Sequence, residues 1–176
     1  MFKRILVALD GSDHAWEALA RGARLARAAG AERLGLVHVR PSLSTLAYAY
    51  GFDVAGPVYP NFADRMAEDL RRVEEHSLEL LRRGEEAARE AGLVDAPIVL
   101  HAEEGPVVRR ILDVVRREGY DLLVVGSRGM GRAAGLLLGS VSQSLVANLP
   151  CSVLIVDSDA REAGASEPEA AAGQAG

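Results

Sequence analysis

Four positions in the last third of the chain are spaced to hold a phosphate: Gly126-x2-Gly129-x9-Gly139-Ser140. An apolar run, Leu122 to Val125, leads into the first glycine, and a helical apolar pattern (Val141, Leu145, Val146) follows the last. A strand buried on both faces reads as such a continuous run. Strand, glycine loop and helix start together make an anion site. The glycines let the backbone approach closely, and the first N–H groups of the helix point outward without helical partners. In that frame Gly129 and Gly139 admit the backbone, and Ser140 and Ser142 offer hydroxyls. The N–H groups of Ser140 and Val141 sit at the helix start, which adds about 0.3–1 kcal/mol of charge attraction. Arg128 and Arg132 flank the loop and could pair with phosphate oxygens, although a solvated surface position is the commoner role for either arginine alone.

Two other phosphate motifs are excluded. No GxxxxGK[ST] occurs, so this is not a Walker-type loop. Gly129-Met130-Gly131-x2-Ala134 spells a dinucleotide fingerprint, but that motif needs an acidic residue about 20 positions on. Positions 149 and 150 are Leu and Pro.

The G-x2-G-x9-G-[ST] loop, with all four positions filled, resembles that of the ATP-binding branch of the universal stress protein family. The resemblance covers roughly residues 1 to 156. It implies a Rossmann-like α/β fold of the adenine nucleotide α-hydrolase-like kind: an open five-stranded parallel sheet in the order 3-2-1-4-5 with helices on both faces. It also implies an ATP site. Asp10 would meet the ribose, the Val39 backbone the adenine edge, and Gly126, Arg128, Gly129, Gly139, Ser140, Val141 and Ser142 the phosphates. Mg²⁺ or Mn²⁺ is expected to bridge those phosphates, held through them and water. The implied function is a cytoplasmic, nucleotide-dependent stress-response regulator. The implied assembly is a homodimer through Ser152–Val156, an uncharged, proline-free run at a sheet edge.

The elements that must position these residues are legible as patterns. Strands are expected at Lys3–Leu9, Arg33–Val39, Pro97–His101, Leu122–Val125 and Ser152–Val156. Helical patterns lie between them. The first is capped by Ser12 or Asp13 and stops at Gly30, and a long one runs over about Ala63–Ala91. Another starts at Pro106 and ends at Glu118. Such alternation means right-handed βαβ units and a sheet covered on both faces. Ligands then bind beyond the carboxyl ends of the strands, where Asp10 and Gly126 would face one crevice. Residues 41–62, with five of the chain's aromatics, read as a long connection, either idle or a lid. The domain is expected over 1–157, and 158–176, poor in large apolar residues, as a disordered tail.

Composition narrows the partners. Net charge is −5, with five acids and one Arg in residues 157–176, so the body is near neutral and nucleic acid is not favoured. No apolar run is long enough for a membrane span, and the chain enters a strand pattern directly, without a leader. The single cysteine, Cys151, opens an apolar run and reads as a packing thiol in a reducing compartment. His14, His38, His76 and His101 show no metal or catalytic spacing, and Glu103-Glu104 read as acids favoured at the start of the third helix. No catalytic group is identified, and turnover is expected to be slow or absent. Two alternatives stand beside this reading. One is an ATP-cleaving enzyme of the related α/β superfamily, for which Asp10-Gly11-Ser12-Asp13-His14 offers a fragment of the needed loop. The other is a nucleotide-free interaction module, against which the complete glycine loop counts.

Overall fold

The computed structural model describes residues 1–49, 61–129, 138–148 and 150–157. Among them the apolar runs form five parallel strands: β1 (Arg4–Ala8), β2 (Arg33–Arg40), β3 (Ile98–Glu104), β4 (Leu122–Gly126) and β5 (Ser152–Val156). Their order is β3-β2-β1-β4-β5, as the resemblance implied. The helices are α1 (Asp13–Ala29), α2 (Leu43–Ala49), α3 (Phe62–Glu90), α4 (Val107–Glu118) and α5 (Ser140–Asn148).

Because side chains alternate along a strand, each central strand feeds two cores. Ile5, Val7, Leu34, Leu36, Leu122 and Val124 pack with Leu19 and Ala23 of α1 and Leu81 and Ala88 of α3. Leu6, Val37, Leu123 and Val125 face the other way, onto Ile111, Val114 and Val115 of α4 and Leu145 of α5. Short Ala, Leu and Val side chains suit this close double layering. Ser12 caps α1, its Oγ accepting from Ala15 N at 3.3 Å. Glycines in the left-handed region close α1 and α4, Gly30 at φ 58° and Gly119 at φ 68°. Cys151 is half-buried and its thiol is pushed up by that burial, in keeping with a packing role.

Three sequence expectations need correction. The 41–62 connection contains a helix, α2, before the segment leaves the described residues at 50–60. Pro106 precedes α4 as its cap, with extended ψ of 116°, instead of opening it. Glu103 and Glu104 end β3, because that strand keeps pairing with β2 to Arg40. There Glu103 meets Arg117 at 2.8 Å and Glu104 meets Arg40 at 3.0 Å, and Glu104 Oε1 also accepts from Leu43 N, at the start of α2, at 3.3 Å. The tail 158–176 lies outside the described residues. No helix among the described residues is long and apolar enough to cross a membrane.

His101 is not among the residues that line the crevice. It is buried at 8% exposure, with Nε2 2.8 Å from Tyr120 Oη and the two rings edge to face. Burial, the largest cause, holds its pKa below the ordinary histidine value, against the opposing pull of Glu118. A depressed folded pKa means that the unfolded chain binds the proton first. The stability this neutral imidazole contributes is therefore present above about pH 6.5 and is lost as pH falls through the folded value. Melting curves from pH 8 to 5 should show a loss of stability on acidification that is smaller in His101→Gln.

Candidate functional site

The strand order reverses between the paired neighbours β1 and β4, which places a crevice beyond their carboxyl ends. A cavity of about 270 Å³ occupies it, lined among others by Asp10, Val39, Gly126, Arg128, Gly129, Gly139, Ser140, Val141 and Ser142. All nine residues singled out from the sequence thus line one space. Apolar side chains from both β2 and α4 (Val37, Val39, Val107, Ile111), with Leu145 of α5, complete its walls. Arg132 and residues 130–134 of the rejected dinucleotide pattern lie outside the described residues.

Each glycine has its own physical reason. Gly126 ends β4 against α1: a Cβ there would stand 2.8 Å from His14 Cβ and 2.9 Å from its carbonyl carbon. Its bareness admits the helix. A Cβ on Gly129 would lie 2.6 Å from Asp10 Oδ2, so this glycine lets the Asp10 carboxylate rest against the loop. Gly139 differs. Its φ is not in the left-handed region, and a Cβ would find its nearest described neighbours at 3.6 Å, ordinary contact. Among the described atoms, therefore, neither backbone conformation nor packing demands a glycine at this point of the cavity wall.

Backbone geometry fixes the donors. Gly139 N donates to Ser127 O at 2.8 Å, and Gly139 O accepts from Gln143 N at 3.0 Å. Gly139 is therefore the cap of α5, and the N–H groups of Ser140, Val141 and Ser142 follow as the first-turn donors without a helical acceptor. Ser140 is exposed at the opening. Ser142 is buried, and its hydroxyl donates to Gly126 O at 2.8 Å, which ties α5 to the end of β4. That proton is not available to an anion, so the hydroxyl expected to serve a phosphate is that of Ser140.

On the other side of the crevice, Leu9 N donates to Val37 O at 2.8 Å. Residue 37 therefore turns its polar backbone groups toward β1. With a two-residue period, Val39 turns its own N–H and C=O the same way, beyond the end of β1 at Ala8. A planar heterocycle in the crevice would find one donor and one acceptor there. Asp10 has a double role: Oδ1 accepts from Ser12 N at 3.0 Å and Ser12 Oγ at 2.6 Å, while Oδ2 lies on the Gly129 side. His38 has Nδ1 2.7 Å from Leu9 O and also lines the cavity. A carbonyl only accepts, so Nδ1 carries the proton.

Sequence reasoning missed a polar cluster behind the loop. Ser127 Oγ lies 3.4 Å from His14 Nδ1, Asp157 Oδ1 lies 3.6 Å from the same nitrogen, and Arg128 Nη2 lies 3.5 Å from Asp157 Oδ1. The residue types are those of a hydrolytic triad, but the geometry is not. Both the hydroxyl and the carboxylate converge on one ring nitrogen, which cannot take a proton from the first while held by the second. Ser127 is also 2% exposed and out of a substrate's reach.

A doubly wound α/β domain with a glycine loop and a cavity at its topological switch point is the class that fold and site define. Residues 1–157 match the Universal stress protein family, and the chain belongs to that family. A Thermus aquaticus relative, the "Universal stress protein in QAH/OAS sulfhydrylase 3'region", is 38% identical over 89% of this chain and 99% of its own length. A solved universal stress protein in complex with cAMP aligns at 26% identity and TM-score 0.59, covering 89% of this chain and 97% of the other. A universal stress protein family protein from Arabidopsis thaliana with AMP bound aligns at 22% identity and TM-score 0.60, over 91% and 94%.

Proposed function

We propose that this protein binds an adenine nucleotide, ATP with Mg²⁺ or Mn²⁺ in the fullest form, and acts in the cytoplasm as a nucleotide-dependent regulator of a stress response. The observation that carries the reading is the convergence of the four loop-motif residues with Asp10, Val39, Arg128, Val141 and Ser142 on one cavity. The apolar walls and the Val39 backbone suit a base, Asp10 a ribose hydroxyl, and Gly139 with the α5 start the phosphates. Relatives with cAMP and AMP support the nucleotide class. Among the described residues no three His, Cys, Asp or Glu side chains gather as a metal cage. In this reading the ion is held through the phosphates and water.

The nucleotide is read as a ligand and not as a substrate, because backbone and hydroxyl donors bind ground and transition states alike and do not raise kcat. Thermal unfolding tests the central claim. At 100 times Kd, Mg·ATP should stabilise the fold by about 2.7 kcal/mol, a rise of roughly 5–10 °C in Tm. No shift with millimolar ATP, ADP or AMP would remove the reading. Steady-state hydrolysis faster than roughly 1 s⁻¹ would move the protein into the enzyme class.

The same reading includes a homodimer through β5, which lies at the sheet edge. Ser152 N donates to Asp121 O, and Val156 O accepts from Ser127 N, so the even-numbered residues serve β4. By alternation, Val153 and Ile155 turn their backbone groups outward, an open edge that invites a second copy. Val153→Pro removes one outward donor without touching the β4 ladder. Sedimentation velocity at micromolar concentration should show a dimer for the natural chain and a shift to monomer for the variant.

A further inference from the structure

The inference rests on the nucleotide reading above and concerns which adenine nucleotides the site prefers. Ser127 N donates to Val156 O at 2.7 Å, which carries the β4–β5 pairing one step into the loop. The next residues on the two strands are then Arg128 and Asp157, side by side, with Nη2 and Oδ1 3.5 Å apart. Arg128 also lines the cavity. The phosphate end of the site therefore brings its own anion. Asp157 already engages the guanidinium that a phosphate chain would claim, and Asp10 adds a second carboxylate against Gly129. His14 Nδ1 also lies 3.6 Å from the Asp157 carboxylate.

We propose that Asp157 is a specificity-determining residue that narrows the advantage of polyphosphates over AMP-like ligands. A monophosphate carries about −1.5 to −2 charges near pH 7, and each further phosphate adds more. A ligand phosphate and the Asp157 carboxylate, both drawn to the Arg128 guanidinium, repel, and the repulsion grows with the charge of the ligand. A base and ribose held against Val39 and Asp10 do not sense it. Asp157 thus makes the site discriminate weakly by phosphate number, so that exchange between ATP, ADP and AMP stays within reach of changes in their ratio.

Isothermal titration of the full chain with adenosine, AMP, ADP and ATP in EDTA, for the natural protein, Asp157→Asn and Asp157→Glu, tests this. Asp157→Asn should leave adenosine unchanged and raise affinity progressively from AMP to ATP, by about tenfold for ATP relative to AMP at low salt. The gain should fade as added salt screens it. Asp157→Glu, which keeps the charge, should behave as the natural protein. Equal changes for all four ligands, a loss of ATP affinity in Asp157→Asn, or the same effect in both variants would overturn the proposal. If the natural protein binds none of the four, the nucleotide reading itself fails and the proposal falls with it.

Discussion

Gly139→Val is expected to abolish adenine-nucleotide binding while leaving the unliganded melting temperature nearly unchanged. Gly139 is the cap of α5, its backbone held at both ends by Ser127 and Gln143. Its φ does not require glycine, and a Cβ would meet Arg128 Cα and Ser127 O at 3.6 Å, which is normal contact. What the new methyls remove is cavity space beside the first-turn donors of α5. The ligand-dependent rise in Tm, roughly 5–10 °C for the natural chain, should vanish. Gly126→Val makes the contrast, because its Cβ would strike the backbone of α1 at His14. That change should destabilise the apo protein, whereas Gly139→Val should be silent until a nucleotide is added. Retained binding in folded Gly139→Val would place the phosphates elsewhere.

The largest effect on stability should come from Gly35→Ala, far from the crevice. Gly35 lies on β2 directly beneath Tyr120, with no space between them. An added Cβ would overlap Tyr120 Oη and stand 2.5 Å from Cζ and 2.8 Å from Leu6 Cδ1. Tyr120 has nowhere to go. It is 3% exposed, bonded to His101 at 2.8 Å, and Arg33 lies over its ring at 5.2 Å. Burial, the largest cause, pushes the pKa of its phenol up to about 12. Overpacking of this kind costs typically 1–3 kcal/mol, and so severe an overlap belongs at the top of that range. At about 2–4 °C per kcal/mol for a chain of this size, Tm should fall by roughly 6–12 °C. In Gly35→Ala with Tyr120→Leu the two changes should offset each other, since one makes the space the other needs. Simple additivity would show that the overlap is not the cause.

The sequence by itself determined the layers and the linear half of the site. Alternating apolar runs and helical stripes are local properties, and side-chain period alone sorts Leu6 from Ile5 onto opposite cores. The phosphate loop was legible for the same reason: Gly129, Gly139 and Ser140 act through backbone approach and a helix start, both set by residues close in the chain. Asp10 and Val39 entered only through the family resemblance, and the strand order it implied is the one the sheet has. Other features came from tertiary structure alone. That Gly126 serves α1, that Ser142 spends its proton on Gly126, and that His38 anchors on Leu9 depend on which segments meet. The extension of β3 to Glu104 was decided by pairing with β2, not by any apolar pattern, since the last residues are acids balanced by Arg117 and Arg40. The cluster behind the loop joins His14 to Ser127 across 113 residues and both to the environment of Asp157. Polar side chains leave no periodic trace, because they become partners only when parallel crossovers stack β1, β4 and β5 with their carboxyl ends together.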